Sequence, residues 1–236
     1  DARDLLVLWN EKMPARAKSF QELFAAWRQL SDQQSAAEMD LKVLRDRLAM
    51  TVEAHPVANV LAEKAQGGVV LSRGEGDRVP VRVRPGAPSD MATVLVHRDG
   101  AEAALATQGI AAQGTVYAPD LYLTGSAKTE VVPRHVHHAT FHPTDDAYRV
   151  QDILTTIAYV RSQGTRKIRL QAVGDAAPWA ILAAAVSETP VELVAEPLSA
   201  NAHWTYDDWL AEYCFIPGLQ KVGGIRTALR VISAKK

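Results

Sequence analysis

The stretch KIRLQAVGDAAPWAILAAAV, residues 167 to 186, limits the fold more than any other part of this chain. Its first part reads as a buried strand, with Ile168, Leu170 and Ala172 on one face of a period-two pattern and Val173 closing the run. Its last part, Trp179 to Val186, is apolar at every position, and a helix apolar all round is buried all round. Between them Gly174-Asp175-Ala176-Ala177 offers small residues where a tight turn brings two backbones close, and Pro178 suits a first helical turn, where its missing N–H is no loss. A buried strand running straight into a buried helix is the joint of an open α/β sheet. Ligands in such sheets gather beyond the carboxyl ends of the strands, so chemistry is expected near Gly174. Asp175 is open to two readings, a helix cap or a carboxylate poised for nucleophilic work.

The remaining segments supply the partners of that joint. ATVLVH (92–97) reads as a buried strand, Ala101 to Gln108 as a short helix and GTVYAPD (114–120) as the next strand. A helix is predicted from about Ala147 to Gln163, with Val150, Ile153, Leu154, Ile157 and Val160 on one side, Thr144-Asp145-Asp146 as its cap and Gly164 as its stop. VELVAEP (191–197) is the fourth core strand. Upstream, residues 57–83 form β-prone runs broken by glycines, an antiparallel meander in which Arg82 and Arg84 take the solvated face. Residues 1–56 read as a helical N-terminal extension and 57–236 as the α/β domain. In the extension Phe20, Leu23, Phe24, Trp27 and Leu30 make one apolar stripe, with Ser19 and Glu22 spaced as a capping box. A second helix, Ala36 to Val52, carries Leu41, Leu44 and Leu48, and SDQQS between them is the expected turn. Leu5, Leu6, Leu8 and Trp9 suggest a shorter helix before both. The stripe needs a partner, either the main domain or another copy.

Charge and composition exclude several classes. With 26 basic and 27 acidic residues the chain has a formal charge of -1, which gives no general attraction to nucleic acid or to an anionic membrane. No apolar run is long enough to span a bilayer. The single cysteine, Cys214, leaves no internal disulfide and reads as a small buried apolar residue. No cofactor motif is present, so no cofactor is expected.

The run DAYRVQDILTTIAYVRSQGTRKIRLQAVGDAAPWAILAAAV, followed by WLAEYCFIPGLQKVGGIRTAL, resembles the α/β-hydrolase fold, and within it bacterial acetyl xylan esterase-like proteins. The likeness covers roughly Ala92 to Leu229. It implies a mostly parallel α/β sheet entered through the antiparallel meander, and it favours export to the periplasm or beyond. By position it makes His97-Arg98-Asp99-Gly100 the loop offering an oxyanion-hole N–H, with Asp99 and Gly100 the candidate donors. It also makes Gly174 the nucleophile position and Glu196 the acid after the fourth core strand. A hydrolase puts a serine in the small-x-Ser-x-small turn, and here that run is Ala172-Val173-Gly174-Asp175-Ala176. Glycine has no side chain to attack with, and the histidine that would follow a last strand is absent. The Ser-His-acid relay therefore cannot be assembled from these residues.

Two further constellations stand out. His135, His137, His138 and His142, four of seven histidines, invite a zinc or copper reading, against a polar surface loop that binds no metal. Trp204, Tyr206 and Trp209, with Asp207 and Asp208 between them, suit stacking on a sugar ring, a protein interface or plain packing over the core. The terminal stripe Ile225, Leu229 and Ile232 needs a surface to lie on, and a sheet ending at the fourth core strand leaves an edge open. The expected cover is a second copy, further polypeptide or the helical extension folding back. The expected function is a degenerate hydrolase-like scaffold that binds or self-assembles. The alternative is a carbohydrate esterase-like hydrolase whose remaining catalytic parts lie outside this chain.

Overall fold

The computed structural model describes residues 16–37, 40–74, 76–110, 112–129, 141–195 and 214–235. Among them, seven strands form one sheet: β1 (Leu61–Ala65), β2 (Gly68–Ser72), β3 (Val79–Arg84), β4 (Met91–His97), β5 (Val116–Pro119), β6 (Lys167–Val173) and β7 (Glu192–Ala195). Their spatial order is β1-β2-β3-β5-β4-β6-β7. β1, β2 and β3 pair antiparallel, and β3 also runs antiparallel to β5. β5, β4, β6 and β7 are mutually parallel, so β2 and these four point one way and the sheet is mostly parallel. Arg82 and Arg84 are exposed on β3, as the alternation predicts.

Six helices accompany this sheet among the described residues: α1 (Phe20–Ala37), α2 (Leu41–Val52), α3 (Ala101–Ala106), α4 (Asp145–Ser162), α5 (Ala177–Val186) and α6 (Gly224–Ser233). The two faces of β4 separate them. Val94 and Val96 join the large core shared with α4 and α5, whereas Leu95 packs with Ala101 and Ala104 of α3 on the other face. Chain topology follows from this. After β4 the chain crosses through α3 to β5 on one side, then returns through α4 to β6 on the other side of β4.

All ten residues of α5 are buried, as an all-apolar helix requires. The sheet lies on one side of it, and α2 and α6 form a further layer outside. α6 lies on α5 through Ile225, Ala228 and Val231, while Leu229 and Ile232 are only half-buried. The expected stripe is thus turned by a residue. α2 contributes Leu44, Leu48 and Val52 to the same core, so this part of the helical extension packs directly on the α/β unit. The connection is pinned by Gln151 of α4, whose Oε1 accepts from His55 N at 2.7 Å while its Nε2 donates to His55 O at 3.1 Å.

Two local expectations need correcting. The turn between the first helices is not SDQQS, because residues 31–35 continue α1. The second helix starts at Leu41, five residues later than expected, where the carboxylate of Asp40 accepts from Lys42 N and Val43 N at 2.8 and 3.4 Å. A side-chain cap fixes that start, whereas the polar run simply lies on an exposed helix. The capping box at the start of α1 is formed, with Ser19 N donating to Glu22 and Glu22 N donating to Ser19 Oγ at 3.2 Å. The suggested helix around Leu5 to Trp9 lies outside the described residues.

Because Leu48 is fully buried between α2 and the main core, Leu48→Ala should cost about 2–5 kcal/mol of unfolding free energy. Urea titration checks this, and a loss near zero would mean that α2 is not part of the cooperative unit.

Candidate active-site region at the carboxyl edge of the sheet

Neighbouring strands β4 and β6 send their chains to opposite faces of the sheet, one into α3 and the other into α5. That divergence opens a crevice at their carboxyl ends, the place where parallel sheets hold ligands. The pairing of His97 with Val173 puts the turn 97–100 and the Gly174 turn at its two lips. The sequence-predicted nucleophile and oxyanion positions are therefore brought together.

Gly174 opens a single 3-10 turn, Gly174–Ala176, that leads directly into α5. Its φ of +57° lies in the left-handed region, and among the described residues a Cβ added there would meet nothing within 4 Å. The glycine is thus required by the backbone angle and not by a close approach, which corrects the sequence reading. Asp175 does not cap α5: the capping position is Ala176 and no side chain bonds there. Its carboxylate instead faces Arg98 Nη1 at 3.3 Å, so an ion pair bridges the two lips of the crevice. Both partners are partly exposed, so the pair is worth little in stability.

The turn after β4 spends its own amides. Asp99 N donates to His97 Nδ1 at 3.0 Å and Gly100 N to His97 O at 3.1 Å. Ala101 N donates to Asp120 Oδ1 at 2.6 Å. An oxyanion hole needs donors aimed at open space where charge develops, and these three already have acceptors. The Asp120 carboxylate, buried at the end of β5, also accepts from Ser126 Oγ. Gly100 and Gly125 flank it so closely that a Cβ on either would strike the carboxylate. Asp120 is therefore a brace that ties the loop after β5 to the start of α3.

A second set of charges lies where α4 begins. Asp146, expected only as part of a cap, is buried and accepts from Trp179 Nε1 at 2.8 Å, from Phe215 N at 2.6 Å and from Arg149 Nη1 at 2.7 Å. Thr144 alone supplies the cap, accepting from Ala147 N at 3.3 Å. The Arg149 guanidinium stacks over the Trp179 ring at 4.8 Å, and its Nε donates to Tyr122 O. Tyr122 N donates to Asp152 at 2.7 Å. Burial pushes the Asp152 carboxyl up to about 7, against that hydrogen bond and the nearby Arg73 and Arg149, which favour the charged form. Sequence reasoning missed this network, because its members are far apart in the chain. For Asp146 the available signal was its place four residues before Val150, on the apolar side of the helix, whereas Asp152 lies on the opposite side with Thr155 and Thr156 and gave none.

His142 is exposed; His135, His137 and His138 lie outside the described residues, as do Glu196, Trp204, Tyr206 and Trp209. Among the described residues no three His, Cys, Asp or Glu side chains are placed to hold a metal ion. None of their helices is long and apolar enough to cross a membrane. Cys214 is buried, and burial raises its thiol well above the ordinary range, as suits a packing residue. No family model, curated protein or solved structure matches this chain.

The raised Asp152 value has a direct consequence for stability. Below about pH 4 the carboxyl is protonated in both folded and unfolded chains, while between about 4 and 7 only the folded chain keeps the proton. Its burial penalty thus grows as pH rises through that window and is complete above it. Asp152→Asn should flatten the fall in stability between pH 5 and pH 8 by about 1–4 kcal/mol. Denaturant titrations of both proteins at the two pH values test this, and equal falls would show that Asp152 does not titrate there.

Proposed function

We propose that this chain is a degenerate α/β-hydrolase-like scaffold that performs no serine-based acyl transfer and works as a binding or self-assembling subunit. The observation that carries the reading is Gly174. It has the positive φ and the strand-to-helix position of a nucleophile elbow, with open space around it and no side chain. The antiparallel entry through β1 to β3 and the crevice between β4 and β6 support the hydrolase-like part of the reading. The amides of Asp99 and Gly100, bound within their own turn, support the non-catalytic part. Carbohydrate remains the ligand class suited to the Trp204, Tyr206 and Trp209 segment.

Incubation of the chain with a serine-directed phosphonate, followed by intact-mass spectrometry, should show no stoichiometric adduct. An adduct on any serine would overturn the reading and favour the esterase-like alternative.

A further inference from the structure

α1 presents an unusual surface. Of the α1 residues whose exposure is described, all are exposed except half-buried Ser31. An isolated helix of this length is marginal in water, so its order requires tertiary cover. Among the described residues its main contact with another element is the 3-10 turn Leu219–Val222, and Asp32 forms an exposed ion pair with Arg226 at 3.4 Å.

The uncovered face is strongly apolar. Phe20 is 75% exposed, Phe24 52%, Trp27 51%, Leu30 51% and Leu23 36%, and Phe215 across from them is 62% exposed. The rings of Phe20, Phe24 and Trp27 follow one another with centroids 6.3 and 5.8 Å apart, so they form a continuous ridge. Beside it is a recess of about 650 Å³ between α1 and residues 214–221, whose apolar lining includes Phe24, Trp27, Ile216 and Pro217. With aromatic and aliphatic side chains offering roughly 150–250 Å² each, these fractions leave about 600 Å² of apolar surface in one patch. A monomer's largest patch is rarely bigger, and a stable pair buries about 800 Å² on each partner.

From these features we infer that α1 and the Phe215 turn form the contact surface of a twofold homodimer. This deepens the self-assembly side of the proposed function and does not depend on the missing nucleophile. Three observations select a second copy as the occupant. The patch carries about three quarters of the area that one side of a stable dimer needs. It holds both a ridge and an adjoining recess, the self-complementary shape that a twofold contact requires. Its rim also mixes signs, with Arg28 and Lys221 at the recess and Glu22 and Asp32 on the helix, so an identical surface is not repelled. A foreign partner selected by charge would instead meet a rim of one sign.

Sedimentation velocity of the full chain, from nanomolar to high micromolar concentration, tests the inference. The expected result is a reversible dimer whose dissociation constant rises at least about tenfold in Trp27→Asp and in Phe24→Asp. Both residues are half exposed in the single chain, so circular dichroism melts of the dilute variants should match the parent. Hydrogen exchange on the unaltered chain gives a readout that needs no variant, because α1 amides should become more protected as concentration rises. A monomer throughout the range would overturn the proposal, as would a dimer indifferent to both substitutions. Concentration-independent protection of α1 would also overturn it, since the chain's own residues would then cover the stripe. The phosphonate result stands apart from each of these outcomes, so failure of dimerisation and failure of the non-catalytic reading are separately visible.

Discussion

Burial of α5 on every side is the constraint from which the remaining architecture follows. A helix with ten buried residues contributes strongly, at about 1.5–3 kcal/mol for each large side chain, but only if both of its polar ends are satisfied. At the far end Lys235 Nζ donates to the carbonyls of Ala184, Ala185 and Ser187 at 3.0, 2.9 and 2.8 Å. Burial lowers that ammonium to about 8, while three carbonyls at the negative end of a helix dipole favour its charged form. The carbonyl contacts are the geometric fact, so Lys235 acts as a cationic cap. At the near end no side chain caps the helix, and Ala177 N donates to Gly174 O through the preceding 3-10 turn; Asp146 holds the Trp179 indole, which locks the start of α4 to the start of α5. The outer helices α2 and α6 are needed because the outer side of α5 is as apolar as the inner.

That dependence explains which parts were legible in the sequence. β4, β6, α4 and α5 sit in the core, where periodicity reports burial directly, and their positions match expectation within a few residues, as does that of the partly buried β7. The α1–α2 turn was misplaced because α1 is exposed, and on an exposed helix polar residues such as those at 31–35 carry no stop signal. Of the two readings of Asp175, the cap rests on local position, yet its partner Arg98 lies 77 residues away. The same holds for Asp146 and Asp152, whose roles depend on Trp179, Phe215 and Tyr122. Local spacing reveals caps and stripes, but pairings across the sheet's carboxyl edge emerge only when the strands are in register.

The crevice itself is a consequence of topology. A chain that leaves β4 for one face and β6 for the other must open a gap between them, whatever residues occupy it. Here structural contacts border that gap: Asp120 braces its β5 side, the 97–100 turn absorbs its own amides, and Arg98 with Asp175 spans the lips. Each of these contacts rigidifies the edge.

Gly174 fits the same logic. The turn from β6 into α5 fixes a left-handed backbone at this position, and a side chain there would carry a strain of about 1–2 kcal/mol even though nothing obstructs it. An enzyme accepts that strain because the exposed nucleophile depends on it. Glycine avoids it, and lets a buried strand meet a buried helix at no conformational cost. The turn is therefore set by α5 and its burial.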